Sequence, residues 1–265
     1  MTTTLRTAFR RVLNRRSALR SGRLETIPFR DRLITVYLPA GYDERIEHHY
    51  PVLYMQDGQN LFDDARAFAG HSWRLQRAAD EAIGSRKTAP MIIAGIDHAG
   101  DARANEFTPT FDAIKKIGGH ADAYGRMLID EVKPLIDARY RTNPDDNAIG
   151  GSSLGGLVSL YTALCHPDIF RRVAAMSPSV WWDHRVILRE VDRYESPRRA
   201  RIWLDIGGRE GMEAINGARA LRDRLRARGW TDANLGYFED RRADHSEASW
   251  GARAAKMLEF LFPAS

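Results

Sequence analysis

At 265 residues, with 43% apolar and 28% charged residues, the chain has the size and composition of one soluble globular domain with a substantial core. The only cysteine, Cys165, excludes an intrachain disulfide and a cysteine-based metal site, and no apolar run approaches the length that spans a bilayer. The net charge of +5 belongs to one end of the chain. Residues 1–23 hold seven arginines and no acid, so the remainder carries 33 basic against 35 acidic groups, which argues against a nucleic-acid-binding face on the domain.

The basic arm, residues 1–23, spaces Leu5, Phe9, Val12, Leu13 and Leu19 between its arginines. It reads as a solvated extension or an amphipathic helix, the latter suited to anionic lipid or a partner surface. It lacks the apolar region of a secretory signal, so a cytoplasmic location is expected. Residues 24–265 form the expected α/β domain. Arg32 to Leu38 is rich in β-branched and aromatic residues and predicts a strand. Pro51 to Met55 predicts a buried strand that runs into a turn at Asp57-Gly58, Trp73 to Ile83 a helix, and Met91 to Ile96 a second buried strand. A polar loop follows from His98 to Gly119. Ala121 to Tyr140 predicts a long helix with Pro134 inside it, and Asn147 to Ile149 a short strand.

Next comes Gly151-Ser152-Ser153-Leu154-Gly155, a G-x-S-x-G pattern between that strand and an apolar helix ended by His166-Pro167. A nucleophilic serine on a strand-to-helix turn needs small residues two before and two after it, because a Cβ there clashes as the elements close. Cys165, late in this helix, reads as a small buried apolar residue. Val173 to Met176, Arg201 to Ile206 and Leu235 to Phe238 predict further strands. Ala214 to Leu225 and Trp250 to Leu261 predict amphipathic helices. Short apolar strands alternating with helices imply a mainly parallel sheet with helices on both faces, and the serine turn after a central strand makes the α/β-hydrolase fold the expected one.

A serine hydroxyl needs a base and an acid that orients the base. In a strand–serine–helix fold these follow in the order acid, then histidine. Of His184 and His245, only His245 lies after the last strand and before the last helix. Glu210, in the loop past the Arg201–Ile206 strand, is the expected acid, and Asp205 within that strand is the alternative. The oxyanion donors are expected to be the backbone N–H groups of Leu154 and Gln59. The eight histidines show no metal-binding spacing, and neither a metal nor a cofactor is expected.

Several stretches together resemble the putative esterase family of α/β hydrolases, which includes esterase D, enterochelin esterases, feruloyl and acetylxylan esterases and mycolyltransferases. They are Val36 to Tyr42, Tyr50 to Phe62, Gly151 to Gly156, Ser177-Pro178-Ser179 with Trp181-Trp182, and His245 with Trp250. The similarity runs over roughly residues 24 to 262. It implies a serine carboxylic-ester hydrolase with Ser153 as nucleophile, Glu210 as acid and His245 as base, acting on a small-molecule ester. It also implies that Trp182 and Glu106 line the acyl or alcohol pocket. The alternatives are an acyltransferase to an alcohol or sugar, and a non-catalytic binding protein on the same fold.

Overall fold

A computed structural model of the protein describes residues 21–194 and 200–264; the arm up to Arg20 lies outside the described residues. Eight strands form one sheet: β1 (Arg23–Phe29), β2 (Arg32–Leu38), β3 (Tyr50–Gln56), β4 (Ile92–Ile96), β7 (Thr142–Ser152), β8 (Phe170–Met176), β9 (Arg201–Gly207) and β10 (Leu235–Asp240), in the order β1-β2-β4-β3-β7-β8-β9-β10. β1 and β2 pair antiparallel as a hairpin, and β2 runs antiparallel to β4. Every pairing from β4 across to β10 is parallel. A second, two-stranded hairpin, β5 (Phe111–Asp112) with β6 (Ile117–Gly118), interrupts the stretch expected as a loop.

Alternate residues of the central strands face opposite ways, and both faces are buried. Leu53, Met55, Ile93, Ala148, Ala174 and Met176 pack on one side with helices α1 (Leu75–Gly84) and α7 (Glu247–Leu261). Val52, Tyr54, Ile92, Ile149, Val173 and Leu204 pack on the other with α2 (Ala121–Met127), α3 (Lys133–Arg139), α4 (Leu154–Cys165), α5 (Trp182–Arg193) and α6 (Met212–Ala227). This is the α/β-hydrolase architecture.

Three local differences from expectation have physical causes. The helix over 121–140 is two helices joined by a π turn, Leu128–Val132, just before Pro134. Proline has no N–H to give and its ring crowds the carbonyl four residues back, so the helix is re-wound there and Pro134 sits in the first turn of α3, where it is tolerated. β1 escapes the pattern because it is an edge strand with mostly exposed side chains and a proline, Pro28. Cys165, expected buried, ends α4 exposed, a turn beyond Tyr161 on the helix flank away from the sheet.

Candidate active site

Ser153 stands between β7 and α4 at φ 55°, ψ −122°, a conformation a residue with a Cβ adopts only when its surroundings impose it. The flanking glycines show what imposes it. A Cβ on Gly151 meets the Gly155 carbonyl at 2.8–2.9 Å, and one on Gly155 meets Gln56 and the Asp57 carboxylate at 3.1 Å. Ser153 N–H donates to Met176 O at 3.0 Å, and Ser179 N–H donates to Ser153 O at 3.0 Å, so the turn is bonded to the end of β8 and the loop beyond. The Ser153 hydroxyl lies 3.3 Å from that of Ser179.

His245 follows β10 and precedes α7. Its ring packs edge-on against Trp250, 4.8 Å between centroids, and Ser246 caps the helix by accepting from Ser249 N–H. Glu210 lies just past β9. Its Oε2 is 2.7 Å from His245 Nδ1, and its Oε1 accepts from Gly207 N–H at 2.8 Å and from the Ser177 hydroxyl at 2.5 Å. Burial raises the Glu210 carboxyl, but the hydrogen bonds from His245, Ser177 and Gly207 outweigh it and hold the group below the ordinary glutamate value. A carboxylate accepts only, so His245 Nδ1 carries the hydrogen, and the tautomer so fixed leaves Nε2 as the acceptor of the neutral ring.

Ser153 and His245 line one cleft of about 450 Å³ with Gln59, His98, Arg103 and Glu247. The turn Gly58–Asn60, where an oxyanion donor is expected, forms one of its walls. Asp57 opens the turn in a left-handed conformation, φ 56°, and Asn60 N–H closes it on Asp57 O at 2.8 Å. Arg103 grips the Asp57 carboxylate with Nε and Nη2 at 2.7 and 2.8 Å, and Asn60 Nδ2 reaches Glu247 at 3.2 Å. Burial and the nearby Asp57 charge push the Glu247 carboxyl up. The Gln59 N–H precedes the first bond of this turn, and Leu154 is the first residue of α4, so neither N–H has a helical acceptor.

Gly58 fits this turn against β4: a Cβ there meets the Gly95 carbonyl at 2.5 Å. Gly58→Ala is therefore expected to lower stability by about 1–3 kcal/mol and to displace the Gln59 N–H, which thermal denaturation and kcat on an activated ester check together.

Not every expected residue reaches the cleft. Glu106 points into a bidentate pair with Arg32, 2.9 Å on each oxygen, in which Arg32 is buried. Trp182 is buried, donates from Nε1 to Thr110 O at 3.1 Å, and lies outside the cleft lining. Glu106 ends a one-turn helix begun by Arg103 and is drawn away to Arg32 on β2, while Trp182 opens α5 and is drawn to the Thr110 carbonyl beside β5, so neither side chain lines the cleft. Asp205 is fully buried and accepts from Arg253, Trp203 Nε1 and Ser177 N–H, out of contact with His245. Missing from the sequence reading are Arg103, His98 and Glu247. Arg103 and His98 stand in the stretch read only as a polar loop, and Glu247 looks like an ordinary first-turn acid. Among the described residues no group of three His, Cys, Asp or Glu is placed to hold a metal ion, and no helix is long and apolar enough to cross a membrane.

The low folded value of Glu210 sets a pH dependence. Its contribution to stability is complete above its unfolded value and is lost as pH falls through the lower folded value. The stability difference between the wild type and Glu210→Gln is expected to be largest near ~pH 7 and to shrink toward ~pH 3, as denaturant titrations at the two pH values measure.

Comparison with known proteins gives the chain its family. Residues 26–261 match the family model described as "Putative esterase". The uncharacterized protein YbbA of Bacillus subtilis is 24% identical over 246 residues, covering 88% of this chain and 93% of YbbA. The ferri-bacillibactin esterase BesA of the same organism is 30% identical over 164 residues, 56% of this chain and 54% of BesA, so the match spans about half of that relative. The structure of the enterobactin esterase FES from Shigella flexneri, determined with enterobactin, superposes with a TM-score of 0.72 at 20% identity, covering 90% of this chain and 58% of FES. The chain belongs to the Putative esterase family and is a carboxylic ester hydrolase.

Proposed function

We propose that the protein hydrolyses its ester through a Ser153-His245-Glu210 triad and an acyl-enzyme. The observation that carries this reading is the meeting, in one cleft, of a strained elbow serine and a histidine whose Nδ1 is held 2.7 Å from a buried carboxylate. The Ser153 hydroxyl turns from Ser179 toward His245 Nε2, gives up its proton there and attacks the acyl carbon. The carbonyl oxygen becomes an oxyanion between the Gln59 and Leu154 N–H groups. The intermediate collapses as His245 returns the proton to the leaving alcohol. Water then repeats the sequence on the acyl-serine and releases the acid. Glu210 stays ionised and stabilises the imidazolium that forms twice per turnover.

The cleft favours a polar ester. Arg66 and Arg103 reach its surface, His98 lines it, and Phe68 offers one exposed aromatic face at the rim. Siderophore esters, the substrates named for BesA and FES, are polar esters of this kind, and a cleft lined by both arginine and carboxylate side chains with an aromatic rim suits them. A fluorophosphonate probe tests the triad directly. An adduct on the Ser153 peptide in the wild type that is absent from His245→Ala is the expected result. An unlabelled wild type, or equal labelling of His245→Ala, defeats the reading.

A further inference from the structure

The loop that leaves β8 carries a residue the scheme above does not use. Ser177 is buried, yet its backbone stands at φ 42°, a left-handed conformation that a side chain adopts only under constraint. Its N–H donates to the main-chain oxygen of Asp205 at 3.0 Å, which fixes the residue against the end of β9. Its hydroxyl oxygen has three neighbours: Glu210 Oε1 at 2.5 Å, Trp250 Nε1 at 3.0 Å and Arg253 Nη2 at 3.0 Å.

These partners leave the hydroxyl one orientation. An indole N–H and a guanidinium N–H can only donate, and between them they take both lone pairs of the oxygen. The single hydroxyl hydrogen then has one acceptor in reach, Glu210 Oε1. Arg253 is held for this by Asp205, whose Oδ1 accepts from the same Nη2 at 3.0 Å. A chain of contacts therefore runs from the buried Asp205–Arg253 pair through Ser177 to the carboxylate that holds His245. Trp250 contributes at both ends, by its N–H to Ser177 and by the T-shaped contact of its ring with His245.

We propose that Ser177 is a positioning residue for ester hydrolysis, its hydroxyl aimed by Trp250 and Arg253 to pin Glu210 Oε1 so that Oε2 faces His245. This rests on the triad reading of Ser153, His245 and Glu210. The lowered Glu210 carboxyl accords with it, since the Ser177 hydroxyl is one of its three donors.

The test pairs Ser177→Gly and Ser177→Ala with Glu210→Ala and the double variant Ser177→Gly/Glu210→Ala. Glycine accepts φ 42° without strain, so Ser177→Gly removes the hydroxyl and leaves the turn its preferred backbone. Both Ser177 variants are expected to lose roughly 10- to 100-fold in kcat/KM on an activated ester, carried by kcat with KM nearly constant. Added to Glu210→Ala, Ser177→Gly is expected to cost less than about twofold, because the hydroxyl then has no carboxylate to hold. A purely structural serine gives a different result: Ser177→Gly keeps wild-type kcat/KM, or its loss multiplies in full with that of Glu210→Ala. Either outcome overturns the proposal. Should Glu210→Ala itself turn over like the wild type, the triad reading falls, and the proposal with it, by an outcome distinct from those two.

Discussion

Ser153→Ala is expected to lower kcat on an activated ester by about 10⁴-fold or more while leaving the melting temperature close to that of the wild type. The size follows from what is removed: without Oγ no acyl-enzyme forms, and the oxyanion donors and the cleft are left with direct attack by water. Alanine keeps the Cβ, so the strain at φ 55°, ψ −122° persists and stability barely moves. Ser153→Gly separates the two quantities. It is equally inactive, but relieving the elbow is expected to raise stability by about 1 kcal/mol, the strain released less the entropy that glycine costs. Steady-state kinetics and thermal denaturation of the two variants side by side check this. A Ser153→Gly protein no more stable than Ser153→Ala means that the elbow stores no strain, and residual turnover near the wild-type level in either variant removes Ser153 from the chemistry.

The elbow also marks how far the sequence alone reaches. Gly151 and Gly155 announce themselves because the close approach of β7 and α4 leaves room for no Cβ, a constraint local enough to write itself into a five-residue pattern. The meeting of His245 with Glu210 is legible for a related reason: chain order and a loop after a strand point to the pair with no knowledge of distance. Arg103 has no such signature. It reaches Asp57 across 46 positions of chain, from a stretch whose composition says only that it is polar. Ser177 is similarly silent, since its hydroxyl meets an acceptor from the loop after β9 and two donors from α7, all distant in sequence. Trp182 and Glu106 fail in the opposite sense. A large aromatic and a carboxylate near a cleft in sequence are as well suited to packing as to binding, and here the indole N–H and the carboxylate are already satisfied by Thr110 and Arg32. Alternation of side chains fixes which residues face each core, but not which loop folds over the serine.

The choice between Glu210 and Asp205 turns on the same distinction, and it carries the largest expected effect on stability. Asp205 is fully buried, and Arg253, 1% exposed, has its Nε and Nη1 without partners among the described residues, so the bond from Nη2 to Asp205 is the guanidinium's one contact with a counter-charge. Asp205→Ala leaves that guanidinium buried and uncompensated and takes the acceptor from Trp203 Nε1, which is expected to cost about 3–5 kcal/mol, or roughly 10 °C in melting temperature. Removing both charges should cost less than removing one, so Asp205→Ala/Arg253→Met is expected to recover part of the loss. Glu210→Ala presents the opposite balance, a loss in kcat on the order of 10³- to 10⁴-fold with a smaller fall in melting temperature than Asp205→Ala, because the half-exposed His245 can turn its Nδ1 to water and only the neutral Ser177 and Gly207 donors lose a buried acceptor. The two variants are thus predicted to separate cleanly, one in a denaturation curve and the other in a rate. An Asp205→Ala protein that melts like the wild type but has lost turnover transfers the acid's role to Asp205. The reciprocal result leaves Asp205 as the anchor of Arg253 and Glu210 as the group that turns His245 into a base.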